Sequence, residues 1–301
     1  MTKNVKNIAA SARARLLRIA KDNDRNFNAV LLQYFQERML YRLSISSYKL
    51  NFVLKGALLF LIYDIPRSRP TKDIDFLGMD TSNTKENLIE AMKEILNTEV
   101  ADGVKFDISK ITAEDITEDA DYKGVRIYCE ASLGQARSRF HFDIGFGDKI
   151  VPNPVKLDFP VLLDDMPIPS LIAYTPESAI AEKFEAIVKL GLATSRMKDF
   201  FDIYHLSSYH NFEAAILKEA IKTTFKNRLT SLTDRFNIYE DKFMNDKDKQ
   251  TQWLAFIRRT GIESNLSFSD CIMYIKNFIE PLFDSNNIYN TWNRDLGSWS
   301  K

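Results

Sequence analysis

A crowd of prolines splits this chain into two halves of different texture: Pro152, Pro154, Pro160, Pro167, Pro169 and Pro176 all fall between positions 152 and 176. Before that stretch, helical patterns are interleaved with short alternating runs. Residues 8–21 and 28–43 predict helices, the second carrying Val30, Leu31, Tyr34, Phe35, Met39 and Leu40 close to the helical period. Phe52-Val53-Leu54 reads as a strand that stops at Lys55-Gly56, and residues 57–63 as a buried helix. Asp73-Ile74-Asp75-Phe76-Leu77-Gly78 alternates as a strand, 84–96 is a helix, and 105–109, 124–131 and 138–146 predict three neighbouring antiparallel strands. The proline segment reads as a linker that wraps the sheet domain. Beyond it, 176–190, 197–207, 212–228, 232–242, 248–258 and 269–282 predict helices, with Pro176-Glu177 suited to a first turn. The expected fold is α/β (α+β) with a small mixed sheet, followed by a helical domain, the boundary lying near 160–170. The last stretch, with Trp292 and Trp299, reads as a tail packed on the body.

Composition narrows the function classes. Two cysteines, Cys129 and Cys271, cannot build a disulfide scaffold, and three histidines make a His-built metal site a poor expectation. The basic N-terminus lacks the apolar core of a secretory signal, and no apolar run is long enough to span a bilayer, so a cytoplasmic protein is expected. The 41 basic and 41 acidic side chains cancel overall but not locally. Residues 1–72 hold 14 basic and 4 acidic groups, and residues 73–182 hold 10 and 22. A basic segment beside an acidic one suits a metal-dependent enzyme with a polyanionic acceptor, provided that the basic residues gather on one face.

The chemistry concentrates in carboxylates. Asp73 and Asp75 stand at i and i+2 of a strand, so they share a face. Paired carboxylates repel unless a cation lies between them, and Mg²⁺ commonly uses one or two together with substrate phosphates. An exposed acidic strand edge gives the same string. Gly56, between a strand and a helix, would let backbone N–H groups approach a phosphate. Asp143 shares the polar face of the 138–146 strand with Arg139 and His141; a third metal ligand and a surface carboxylate near a turn are both open. Three carboxylates on adjacent strands are what two-metal nucleotidyl transfer needs. Arg67, Arg69 and Lys72 precede Asp73 and would neutralise a triphosphate or form a solvated loop. The strings at 105–109 and 126–130, Arg126 included, read as core strands without chemistry, and His141 as strand scaffolding. His205 and His210 read as packing or surface residues. In the second half, Lys183 can reach a phosphate, and Asp199 and Asp202 share a helix face, where Asp199 can pair with Lys183 or both can be solvated.

Taken in order, these strings resemble the AbiEii/AbiGii toxin family of nucleotidyltransferases, the toxin halves of abortive-infection toxin–antitoxin pairs, related to polymerase-beta-like enzymes. The resemblance rests on Phe52-Val53-Leu54-Lys55-Gly56, on Arg69-Pro70-Thr71-Lys72-Asp73-Ile74-Asp75-Phe76, and on Phe142-Asp143-Ile144 with its following Gly-Phe-Gly-Asp. It continues through Glu177, Ala181-Glu182-Lys183-Phe184 and Ser195-Arg196-Met197-Lys198-Asp199-Phe200-Phe201-Asp202-Ile203-Tyr204. One departure stands out: Ala57 occupies the place where the family usually carries a second glycine followed by a small hydroxyl residue.

The resemblance implies a polymerase-beta-like domain at 1–165 and a helical domain at 166–301 that contributes to the active-site cleft. It implies transfer of a nucleoside monophosphate from an NTP to an acceptor hydroxyl, most often at the 3′ end of transfer RNA, with Mg²⁺ or Mn²⁺. Asp73, Asp75 and Asp143 would be metal ligands and, with Lys183 and Asp199, the catalytic set. Gly56, Ala57, Arg69, Lys183 and Arg196 would hold the nucleotide, and Asp199 would orient these groups or move a proton. The expected partner is a separately encoded winged-helix antitoxin, not stably bound to a monomeric toxin. A nucleotidyltransferase acting on a small molecule or protein, and a nucleotide-binding protein of this fold with reduced catalysis, are the alternatives.

Overall fold

The computed structural model describes residues 7–63, 65, 71–116, 124–260, 265–284 and 289–301. The chain forms two compact units, the first built from 1–64, 70–147 and 155–173, the second from 65–69, 148–154 and 174–301.

In the first unit, α1 (Ile8–Asp22) and α2 (Phe27–Ile45) each start at an asparagine whose side chain accepts from a first-turn N–H, Asn7 from Ala10 and Asn26 from Asn28 and Ala29. Then come β1 (Phe52–Lys55), a 3₁₀ turn (Gly56–Leu58), α3 (Leu59–Ile62), β2 (Asp73–Gly78), α4 (Lys85–Leu96), β3 (Val104–Phe106), β4 (Thr112–Ile116), β5 (Gly124–Leu133), β6 (Ala136–Phe146), β7 (Val155–Asp158) and β8 (Ser170–Ala173). The strands make one mixed sheet in the order β3-β5-β6-β2-β1-β8-β7, with β4 also on the outer edge of β5. β2 runs parallel to β6 and β1 parallel to β8; the other pairings are antiparallel. Two-residue alternation sets the two faces: Val125, Ile127, Cys129, Ala131, Phe140, Phe142 and Ile144 are buried, while Arg126, Tyr128, Glu130, Arg139, His141 and Asp143 on the opposite face are not.

The helix α2 is buried around most of its circumference, including Glu37, Arg38 and Arg42. These charges are paired: Arg42 reaches Asp102 at 2.6 Å, Arg38 lies 2.7 Å from Glu37, and Glu37 accepts the Leu162 N–H at 2.7 Å. Burial pushes the Glu37 carboxyl up to about 7 against the pull of Arg38. Residues 155–173 of the proline segment belong to this unit and are no plain linker: they supply β7 and β8. The expected 105–109 strand is shorter, ending at Phe106, because Asp107 accepts from the Ser109 N–H and turns the chain into a 3₁₀ step at Ile108–Lys110.

The second unit contains α5 (Pro176–Leu190), α6 (Met197–Tyr209), β9 (Phe212–Glu213), α7 (Ala214–Asn227), a long 3₁₀ segment (Leu232–Tyr239), α8 (Asp241–Met244), α9 (Lys247–Thr260), α10 (Phe268–Ile279), β10 (Thr291–Asn293) and β11 (Ser298–Ser300). Pro176 sits in the first turn of α5 behind a Thr175 cap. Its core is aromatic, with Phe200, Phe201, Phe243, Trp253, Phe256 and Phe268 buried together. The C-terminal residues are a hairpin, Trp292 facing Trp299, with both indole N–H groups donating to backbone carbonyls of Ser207 and Phe278. Both cysteines are buried free thiols. Among the described residues, no helix is long and apolar enough to cross a membrane.

Candidate active site

Adjacent strands assemble the first cluster. Parallel pairing of β2 with β6 sets Asp73 beside His141 and Asp75 beside Asp143, and directly paired residues share a face. Asp73, His141 and Asp143 each offer a ligand atom, and these atoms all lie within 4.8 Å of one another. All three are half-buried, enough to strengthen charge interactions while leaving access. His141 Nε2 lies 2.8 Å from Asp73 Oδ1 and 3.8 Å from Asp143 Oδ1, a close approach without hydrogen-bond alignment. Asp143 accepts a bidentate pair from Arg126 of β5, Nε at 2.8 Å and Nη2 at 2.7 Å.

Asp75 lies outside that ligand group and has a different neighbour. Gly56 follows β1 with φ +74°, and a Cβ built there would stand 1.9 Å from Asp75 Oδ2. Only a glycine leaves room for this carboxylate. Ala57, in the place of the family's second glycine, is 3 % exposed. Arg67 and Arg69 lie outside the described residues.

The second cluster belongs to the helical unit. Lys183 on α5 donates to Asp202 Oδ2 at 2.7 Å and to Asp199 Oδ1 at 3.3 Å, and Arg196 Nε donates to Asp199 Oδ2 at 2.7 Å. The α6 carboxylates are not a solvated helix face: Asp199 and Asp202 are buried. Burial alone would raise the Asp199 carboxyl, but Lys183 and Arg196 outweigh it and hold it below the ordinary carboxylate range. Behind this pair, Arg228 reaches Asp148 at 2.9 Å, Glu185 at 3.0 Å and Glu182 at 3.4 Å, fixing the two glutamates that flank Lys183 in sequence.

Two residues assigned no chemistry from the sequence belong to the first cluster. Arg126 is the guanidinium partner of Asp143 rather than a core-strand residue, and His141 is grouped with the two aspartates rather than being scaffolding alone. The available signal was alternation: Arg126 is out of phase with the apolar Val125, Ile127 and Cys129 and so had to face the polar side. Among the described residues, part of the N-terminal positive charge is buried or paired. Arg38 and Arg42 are buried in α2, Arg15 pairs with Asp165 at 2.6 Å, and Arg18 pairs with Asp22 at 3.4 Å.

A divalent cation fits the donor chemistry of the strand cluster, since Asp73 and Asp143 offer hard oxygen atoms and His141 adds an imidazole compatible with Mn²⁺. Such an ion would compete with Arg126 for Asp143.

The model of a family described as the nucleotidyl transferase AbiEii toxin of type IV toxin–antitoxin systems matches residues 38–273. Two solved structures from Helicobacter pylori are similar at low identity. JHP933 is 15 % identical with a TM-score of 0.41, over 86 % of this chain and 99 % of its own. A candidate nucleotidyltransferase is 16 % identical with a TM-score of 0.44, over 85 % and 98 %. No curated protein matches the chain. With the family match running from α2 into α10 and taking in both charged clusters, the chain belongs to the AbiEii family of nucleotidyltransferase toxins.

Proposed function

We propose that this protein transfers a nucleoside monophosphate from an NTP to an acceptor hydroxyl in a metal-dependent reaction, the acceptor being the 3′ end of transfer RNA. The observation that carries this reading is the register of β2 on β6, which sets Asp73 and Asp75 next to His141 and Asp143 on one sheet face. A bound Mg²⁺ or Mn²⁺ would be held by Asp73, Asp75 and Asp143, and would supply Lewis-acid stabilisation of the phosphoryl oxygens and acidify the acceptor hydroxyl.

The remaining work falls to the chain itself. Gly56 leaves the Asp75 carboxylate its position and, as the start of the turn after β1, lets backbone approach the triphosphate. In the helical unit, Lys183 and Arg196 are the candidate nucleotide contacts, held in place by Asp199 and Asp202. Because Asp199 is held ionised, it serves better as an orienting anion than as a proton carrier. In this reading the toxin works as a cytoplasmic monomer opposed by a winged-helix antitoxin that does not bind it stably.

Incubating the full chain with each labelled NTP, total RNA and Mg²⁺ or Mn²⁺ tests the proposal. Label should enter transfer RNA with wild type and vanish with Asp75→Asn. If wild type labels no RNA under either metal, the reading fails.

A further inference from the structure

Beyond the carboxylates, the same sheet face continues outward along β6 and changes sign. Every second residue of β6 points to it: Asp143, His141, Arg139, Arg137. Their partners on β5 are Arg126, Tyr128, Glu130 and Ser132, and Lys105 of β3 faces Ser132. Arg137, Arg139 and Lys105 are exposed, with 69 % of the Arg137 side chain open to solvent. The acidic groups among them are engaged: Glu130 with Lys110 at 3.2 Å and Arg137 at 4.0 Å, Glu114 with the Tyr128 hydroxyl at 2.6 Å. Arg139 lays its guanidinium 4.7 Å from the centroid of the Tyr128 ring, and the His141 ring, tilted by 56°, stands 5.7 Å from the same ring.

We propose that this outer half of the β5–β6 face is the acceptor track: a single-stranded polynucleotide 3′ end lies along β6, one base stacked on the Arg139 guanidinium that Tyr128 supports, with Arg137 on the adjoining phosphate. Three features carry it. Successive same-face positions on a strand step by roughly 6.7 Å, so Arg139 and Arg137 follow the Asp143 position at regular intervals. An arginine plane backed by an aromatic ring is a stacking surface for an unpaired base of any identity. The charge order, anionic at the Asp73–Asp143 end and cationic outward, suits a strand whose terminal hydroxyl must reach the carboxylates while its phosphates stay away from them. This inference rests on the proposed nucleotidyl transfer for the identity of the terminus, and on the sheet face alone for the binding.

The test is fluorescence anisotropy with the full chain and a short 5′-fluorescein-labelled single-stranded RNA carrying a free 3′ hydroxyl, across a salt series. Arg137→Gln should lower the slope of log K against log salt by about 0.7, one phosphate contact on a single strand. Tyr128→Leu should weaken binding roughly fivefold or more, the loss of one stacking contact, while Tyr128→Phe, which keeps the ring and drops the hydroxyl bond to Glu114, should stay near wild type. Arg139→Lys separates stacking from charge: affinity falls while the salt slope holds. Arg18→Gln on α1 is the exposed basic control, and circular-dichroism melts confirm that each variant folds. Wild-type binding that none of these strand variants changes overturns the track, and so does absence of RNA binding. Should the same variants abolish binding of a protein partner and leave RNA binding intact, the face is a protein-docking surface and the track is likewise overturned. Wild-type labelling of transfer RNA, measured in parallel, reports on the reaction itself: labelling that persists with unaltered RNA binding in the strand variants leaves the transfer reading standing and removes the track only.

Discussion

Gly56→Ala tests the link between backbone geometry and chemistry at one atom. Its φ of +74° lies in the left-handed region, where a non-glycine residue costs roughly 1–2 kcal/mol. The larger effect is steric. The added methyl would stand 1.9 Å from Asp75 Oδ2, whereas ordinary contact begins at 3.4 Å, so the carboxylate must retreat by about 1.5 Å. A displacement of about 1 Å at a reacting centre is worth on the order of 100-fold in rate. The matched control is Gly297→Ala, whose φ of +58° imposes similar strain with nothing within 4 Å of the new methyl. Urea unfolding should show Gly297→Ala destabilised by about 1–2 kcal/mol and Gly56→Ala by more, because of the added clash, and labelled-nucleotide transfer should fall on the order of 100-fold in Gly56→Ala alone. Equal activity in the two variants would refute the claim that Gly56 is there for Asp75.

Arg126→Gln removes a bidentate, partly exposed partner from Asp143; the apoprotein should lose about 1.5 kcal/mol in urea unfolding, and Mn²⁺ should bind this variant more tightly in calorimetry because the guanidinium no longer competes. Unchanged stability and Mn²⁺ affinity would remove Arg126 from the site. Lys183→Met removes the ammonium that donates to both buried carboxylates, Asp199 and Asp202, and should cost about 3–5 kcal/mol, whereas a loss under about 1 kcal/mol would mean that water reaches the pair. Burial pushes His205 down to about 4 from an ordinary value of 6.5, so the unfolded chain takes up the proton first. Its contribution is intact above pH 6.5 and is lost as pH falls through 4, roughly 3 kcal/mol in all; His205→Phe should flatten that part of the stability profile, and an unaltered profile between pH 6.5 and 4 would rule the histidine out.

Most elements were legible because their period was unambiguous. The 73–78 strand and the 176–190 helix coincide with β2 and α5, each marked by strict alternation or by a proline at the helix start. β7 and β8 were hidden because four residues among prolines carry too little pattern to separate a strand from a linker, and only pairing with each other and with β1 defines them. Arg126 was passed over for a related reason. Its meaning depends on which residue sits across the ladder, and Asp143 is 17 positions away, so no local string contains the pair. The α6 aspartates show the same blindness from the other side: helical spacing puts Asp199 and Asp202 on one face, but only packing tells that the face is turned inward toward Lys183.

The Arg126–Asp143 bond also bears on the order in which the sheet forms. β5 and β6 are joined by the two-residue link Gly134-Gln135, so their ladder is local and closes early, whereas β2 must find β6 across the whole of β3 to β5. When that late pairing happens, Asp143 arrives already neutralised by a guanidinium carried on its own hairpin. The docking of Asp73 and Asp75 therefore avoids bringing a third bare carboxylate into a half-buried sheet. Arg126→Gln should slow refolding in chevron measurements at low salt and recover with added divalent cation, which makes this arginine a folding counter-ion as much as a resident of the site.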